Sequence, residues 1–165
     1  MPSLAELGRE ASACTRCPLS SGRTSVVFGV GHPDADLMFV GEGPGRDEDL
    51  QGEPFVGRSG QLLDRVIREE LGLGREHVYI ANVVKCRPPG NRDPLPDEVA
   101  SCRPYLEQQI ELVDPTVIVT LGNFATRLLL DATAGIRQLR GSTYPYRGAV
   151  VVPTFHPSFV LRSGG

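Results

Sequence analysis

Short runs of aliphatic and β-branched residues alternate along this chain with segments whose apolar residues recur every three to four positions. That alternation predicts strands connected by helices, hence an α/β domain with a largely parallel sheet. The spacing predicts a helix from Leu4 to about Ala13, then a cysteine-containing turn and a short strand near Val26 to Phe28. Leu37-Met38-Phe39-Val40 predicts a clearer strand that runs straight into Gly41-Glu42-Gly43-Pro44-Gly45. After a long loop, Leu62, Leu63, Val66, Ile67 and Leu71 recur at helical spacing from Ser59 onward, with Gly72 as the stop. Val78 to Val84 reads as a strand, and a Pro/Arg/Asn-rich loop from Cys86 to Pro96 leads to a helix with Val99, Cys102, Leu106 and Ile110 on one side. Pro104 inside that helix is expected to shift its start or bend it. Thr116 to Leu121 predicts a buried strand, Phe124 to Leu130 a short helix, and Ala149 to Thr154 a last strand before His156-Pro157-Ser158. Ligands in such folds bind beyond the carboxyl ends of the strands. The Gly41 loop, Asn82 and His156 all fall there.

Composition narrows the class. The 165 residues carry 17 Lys plus Arg against 20 Asp plus Glu, a formal net charge of -3, with 40% hydrophobic residues. That is the balance of a single globular domain, 1–165, large enough to build a core without disulfides or metals. The four cysteines therefore need another reason. No apolar run approaches the roughly 20 residues of a membrane span, and the N-terminus turns polar before any signal-like apolar core forms. A cytoplasmic monomer with no membrane contact is expected. Arg is abundant and Lys nearly absent, so a local basic face remains open despite the acidic balance.

The Gly41–Gly45 loop is not a dinucleotide cradle: its spacing is not G-x-G-x-x-G, Pro44 removes a donor, and Glu42 would face an anionic phosphate. It is either a structural turn or a rigid loop offering backbone N–H groups, with Glu42 holding a water or hydroxyl. Cys14-x2-Cys17, Cys86 and Cys102 make two pairs, for which a four-thiolate zinc or iron-sulfur site is the favoured reading in a reducing compartment. Spacing leaves the metal open, and Cys102 also suits a buried free thiol. His156 is a loop histidine or a catalytic donor, and no G-x-S-x-G elbow supports a serine hydrolase. Asn82, alone among apolar neighbours, either caps backbone or reads a ligand. Phe55 is core filler or a platform for a flat ring.

Together these pieces resemble the uracil-DNA glycosylase superfamily, specifically the family 4 enzymes that carry an iron-sulfur cluster. The resemblance spans Cys14-x2-Cys17, Gly41-Glu42-Gly43-Pro44-Gly45, Pro54-Phe55-Val56-Gly57, Asn82 through Pro89, Cys102, and His156-Pro157-Ser158-Phe159-Val160-Leu161-Arg162. It implies a three-layer α/β/α sandwich with a central four-stranded, mostly parallel sheet, and hydrolytic removal of uracil from single- or double-stranded DNA. It further implies that Gly41, Glu42 and Gly43 form the first active-site motif, that Phe55 stacks on the flipped uracil, and that Asn82 reads its edge. His156 would sit by uracil O2, with Glu42 orienting water, and Glu48 would crowd the C5 position against thymine. Ser158, Leu161 and Arg162 would contact DNA, with Leu161 as a wedge, and Arg58, Lys85, Arg87 and Arg92 are further phosphate candidates. Cys14, Cys17, Cys86 and Cys102 would hold a 4Fe-4S cluster.

Family members usually continue past the Leu-Arg pair into another helix, which is expected to be missing from this chain. A related branch captures uracil-DNA covalently through a histidine in a basic insert, with Gln at the position of Gly43. Neither feature is present, so turnover is expected. The readings from other classes are a non-catalytic iron-sulfur protein for electron transfer or redox sensing, and a protein that binds uracil-DNA without releasing base.

Overall fold

The computed structural model describes residues 2–164. The first helix, α1 (Leu4–Ser12), starts where Ser3 and Glu6 exchange side chain to backbone hydrogen bonds, satisfying two donors that a helix start leaves free. Among the described residues the sheet has six strands: β1 (Val30–Gly31), β2 (Leu37–Gly41), β3 (Tyr79–Asn82), β4 (Val117–Leu121), β5 (Tyr144–Tyr146) and β6 (Ala149–Thr154). Their order is β1-β3-β2-β4-β6-β5. The four central strands are parallel, as the resemblance implies, and β1 and β5 add antiparallel edges that enlarge the sheet to six.

Both edges escape the hydrophobic pattern for identifiable reasons. β1 has two residues, and a Cβ at Gly31 would collide with Val78 backbone, so a glycine stands where a strand pattern asks for a side chain. The strand expected at Val26 to Phe28 is instead a single contact, Val27 N–H donating to Lys85 O at 2.7 Å. β5 contains Pro145, a residue that breaks a central ladder but is tolerated at an edge.

The strand ends are where the fold departs most from simple patterning. Beyond Asn82 the β3 ladder continues as Val83 N–H to Gly41 O at 2.9 Å and Val84 N–H to Glu42 O at 3.0 Å, fixing the glycine loop against the next strand. The helices are α2 (Arg46–Gln51), α3 (Arg58–Glu69), α4 (Pro96–Val113), α5 (Asn123–Leu130), α6 (Ile136–Leu139) and α7 (Pro157–Arg162). α4 starts with Pro96 in its first turn and runs through Pro104, so that proline does not set its start. α2 lies in the expected long loop. It carries no apolar stripe, but Asp47, Glu48 and Asp49 in its first turn suit the helix dipole, and Gly52 ends it in the left-handed conformation.

Helices cover both faces. α4 and α5 bury Leu106, Ile110, Ala125 and Leu129 against Met38, Val40, Ile118 and Val151. On the other face α3 sets Leu63 and Ile67 against Phe39 and Ile80, and α7 packs on α3. α1 lies outside α4, with Leu7 and Ala11 on Tyr105. This three-layer arrangement leaves the carboxyl ends of β2, β3, β4 and β6 along one rim, where the loops converge.

Candidate active site

A cavity of about 400 Å³ opens at that rim. Glu42, Gly43, Glu48, Phe55, Asn82, His156, Ser158 and Arg162 line it together, although they come from four separate stretches of sequence. Gly41 lies beneath: a Cβ there would stand 2.6 Å from Asn82 Oδ1 and press into the Phe55 ring. Only glycine lets those two side chains meet. Leu161 sits half-buried on α7 and is not among the lining residues.

Phe55 is held in a backbone conformation that non-glycine residues avoid, with φ of 55°. Such strain costs about 1 to 2 kcal/mol and persists only where neighbours impose it. Arg75, a residue without a sequence signal, imposes it here. Its guanidinium donates to Phe55 O and Pro54 O, both at 2.8 Å, and to Asp64 at 3.0 Å. From the other side, Glu48 accepts from Gly45 N–H at 3.0 Å, Val56 N–H at 2.9 Å and Gly57 N–H at 2.8 Å. Glu48 therefore lines the cavity and also ties the Phe55 loop to the glycine loop.

Asn82 is buried, and its Oδ1 is the one buried side-chain nitrogen or oxygen without a hydrogen-bond partner among the described residues. An orphaned buried acceptor is costly, and this one lies on the cavity wall. Glu42 shares the wall with Asp93, which sequence reading did not single out. Burial, followed by the charge of Asp93 and a hydrogen bond to it, pushes the Glu42 carboxyl up to about 7. A paired acid near neutrality suits proton handling. The loop carrying Asp93 is pinned by Arg92, whose guanidinium forks onto buried Glu98 at 2.8 and 2.9 Å, so Arg92 is committed rather than free for phosphate. Lys85 is also withdrawn from the phosphate candidates: it is fully buried, donating to Asn82 O and Gln109 Oε1.

His156 caps α7, its Nδ1 accepting from Ser158 N–H at 3.1 Å with the Ser158 hydroxyl at 2.8 Å. Because a backbone N–H only donates, the ring proton resides on Nε2. Burial, then the Arg162 cation, lowers its pKa to about 4 against a weaker pull from Glu48. The imidazole is thus a neutral donor at working pH, 5.6 Å from the Phe55 ring centroid.

All four cysteines line a second hollow, beside Arg16, Arg23 and Tyr105. Arg23 donates to Cys86 Sγ at 3.5 Å and to Cys14 O at 2.6 Å, and Lys85 N–H donates to Cys102 Sγ at 3.3 Å. Burial pushes the Cys102 thiol up to about 11. Among the described residues no three His, Cys, Asp or Glu side chains are gathered closely enough for a single ion.

The chain was compared with known proteins. The family model of the uracil DNA glycosylase superfamily matches residues 28–165. A type-4 uracil-DNA glycosylase of Thermotoga maritima is 51% identical over 152 residues, covering 91% of this chain and 79% of that relative. Those of Archaeoglobus fulgidus and Sulfurisphaera tokodaii are 46% and 45% identical over 170 and 169 residues, each covering 98% of this chain and 84% and 77% of the relative. With the cavity, the paired acids and the four cysteines around one hollow in one fold, these similarities place the chain in the uracil-DNA glycosylase superfamily, within its type-4 branch.

Proposed function

We propose that the chain hydrolyses the N-glycosidic bond of deoxyuridine in DNA, releasing uracil and leaving an abasic site. The observation that carries this reading is Asn82, which lines the cavity with Phe55 and keeps its amide oxygen without a partner. Uracil presents a flat face and, on its pairing edge, an N–H between two carbonyls, which is what the ring and the orphaned acceptor lack. A base in a duplex is out of reach, so the nucleotide is extruded into the cavity.

As the bond to C1′ lengthens, positive charge grows on the sugar and negative charge on uracil. The neutral His156 Nε2–H donates to O2, where the charge develops, so its hydrogen bond strengthens in the transition state. The Glu42 carboxylate faces the sugar cation and holds the water whose oxygen bonds C1′. The proton that this water gives up ends on the departing uracil by way of the Glu42–Asp93 pair. Glu48 and Arg75 keep the stacking ring in place.

The thiol set supports a 4Fe-4S cluster held by Cys14, Cys17, Cys86 and Cys102. Four thiols around a shared hollow suit a cube that offers one iron to each sulfur. The N–H groups on Cys86 and Cys102 Sγ are the donors a thiolate needs around it. When bound, such a cluster supplies a structural crosslink rather than a reacting group.

The deciding experiment is free-base release from labelled oligonucleotides carrying U:G, U:A or single-stranded uracil, with no metal added. Release of uracil is expected. Tight binding without release would leave a recognition module, and iron redox cycling without release would favour the electron-transfer reading. Anaerobically purified protein should be brown, with about four irons and four sulfides per chain. Zinc without iron would overturn the cluster.

A further inference from the structure

A third hollow, of about 370 Å³, adjoins the uracil cavity and shares Glu42, Asp93, His156, Ser158 and Arg162 with it. Its outer side is built from α6, the one-turn helix with no hydrophobic signature, together with Phe155 and Phe159. Those two rings stack with centroids 4.7 Å apart. The Arg140 guanidinium lies 4.6 Å over Phe155 and that of Arg137 lies 5.6 Å over Phe159. Aromatic and guanidinium groups thus form one stack, in which the rings fix where the two charges stand.

The segment that carries Arg137 within α6 and Arg140 just past its end is itself fastened on three sides. Asn123 Oδ1 accepts from Ile136 N–H at 2.8 Å, Arg127 Nε donates to Ala134 O at 3.2 Å, and Tyr144 O–H donates to Leu139 O at 3.0 Å. Both guanidiniums are exposed, and among the described residues neither has a carboxylate at ion-pair distance. Most other fixed arginines here are spent on acids or carbonyls, as Arg75, Arg92, Arg103 and Arg147 are. Two ordered cations without counter-charges, on a protein of net charge -3, mark a place where an anion is to be received. Glu42 and Asp93 repel an anion from the shared wall, which steers it toward the arginine side.

We infer that Arg137 and Arg140, presented by the Phe155–Phe159 stack, form a DNA phosphate subsite that grips the strand flanking the extruded nucleotide, on the α6 side of the cavity. The inference rests on the reading of the cavity as a uracil pocket, and it adds a contact outside the His156–Arg162 segment. Phosphate contacts position the duplex without reading sequence, so the grip acts on affinity and its salt dependence.

The test uses the full-length holoprotein and an end-labelled duplex containing one tetrahydrofuran abasic analogue, with affinity followed by anisotropy from low to moderate salt. Each neutralised phosphate contributes a slope of about -0.9 in log affinity against log salt. The double variant Arg137→Gln/Arg140→Gln should therefore flatten the slope by roughly 2 and weaken binding on the order of tenfold. Arg137→Lys/Arg140→Lys should restore the slope, because a phosphate needs only a cation, and Arg9→Gln on α1, which removes one positive charge away from the cavity, should leave it alone. An unchanged slope in the Gln variant, or equal losses in the Gln and Lys variants, overturns the subsite. Uracil release by the unsubstituted protein is read on the same preparation. Its absence beside a flattened slope would sink the enzymatic reading and keep the subsite.

Discussion

His156 and Asn82 face the same cavity, and in the proposed mechanism they act at different stages of the reaction. A neutral imidazole whose Nδ1 is already committed to Ser158 has one proton to offer, on Nε2, and that proton is worth most when uracil O2 becomes an anion. His156→Ala should lower the saturated single-turnover rate on the order of 10²-fold while leaving affinity for an uncleavable analogue nearly intact. Weakened binding with an unchanged rate would remove His156 from the chemistry. In the same mechanism Glu42 sets the pH dependence. With its carboxyl pushed to about 7, first by burial and then by Asp93, it is neutral below that pH and ionised above it, so the single-turnover rate should rise through neutrality. Asp93→Asn removes the repelling charge but not the burial, so the midpoint should move down without reaching the ordinary carboxylate range. A midpoint that stays or rises would exclude Glu42 as the titrating group. The same shift has a stability consequence. The folded state holds the Glu42 proton where the unfolded chain has lost it, so this group's contribution declines as pH rises from about 4.5 to 7.

At the scale of elements, the Phe55 ring is placed by its supports. Phe55 was legible as a candidate platform because it sits in a short Pro-Phe-Val-Gly run, yet nothing in the sequence connects it with Arg75, twenty positions away. That link is one side chain on two carbonyls, and periodicity carries no trace of such contacts. Arg75→Ala should release the strained backbone, lowering turnover through a misplaced ring while the sheet melts nearly as before. If the rate holds and only Tm falls, Arg75 is a structural tie and not a positioning residue. Glu48 is read in the same light. Truncating it to Ala opens space by the cavity but also frees Val56 and Gly57 N–H, so any gain in thymine release should come with a loss in uracil release. An unchanged thymine to uracil ratio in a folded variant would rule it out as the gate. The central parallel strands and the long helices α3 and α4 were readable because their apolar residues recur at strand or helix spacing. α2, α6, α7 and both edge strands were not, since caps, glycines, a proline and single hydrogen bonds define them.

At the scale of the molecule, the cavity and the cysteine hollow are joined through one short stretch of chain. Asn82 ends β3 in the cavity wall, and four residues later Cys86 lines the cysteine hollow. Between them Lys85 runs inward, its Nζ donating to Asn82 O at 2.7 Å and to Gln109 Oε1 at 2.6 Å. Burial drives that ammonium down to about 8, and the nearby Cys102 opposes the shift, so thiolates gathered around iron would stabilise the cation. On the other side, Cys14 and Cys17 belong to the segment after α1, which otherwise holds to α4 through the small cluster of Leu7, Ala11 and Tyr105. A crosslink between these parts closes a long loop of chain, and its removal should be felt where the remaining contacts are fewest. Stripping iron anaerobically with a chelator and reductant should therefore lower Tm and strip hydrogen-exchange protection from α1 and residues 13–23 first, while amides of β2, β4 and β6 stay protected. Uracil release should fall with the protection of β3 near Asn82 rather than with that of the sheet centre. Iron-free protein with the Tm and exchange pattern of the holoprotein would show that the four cysteines carry no crosslink on which the fold depends.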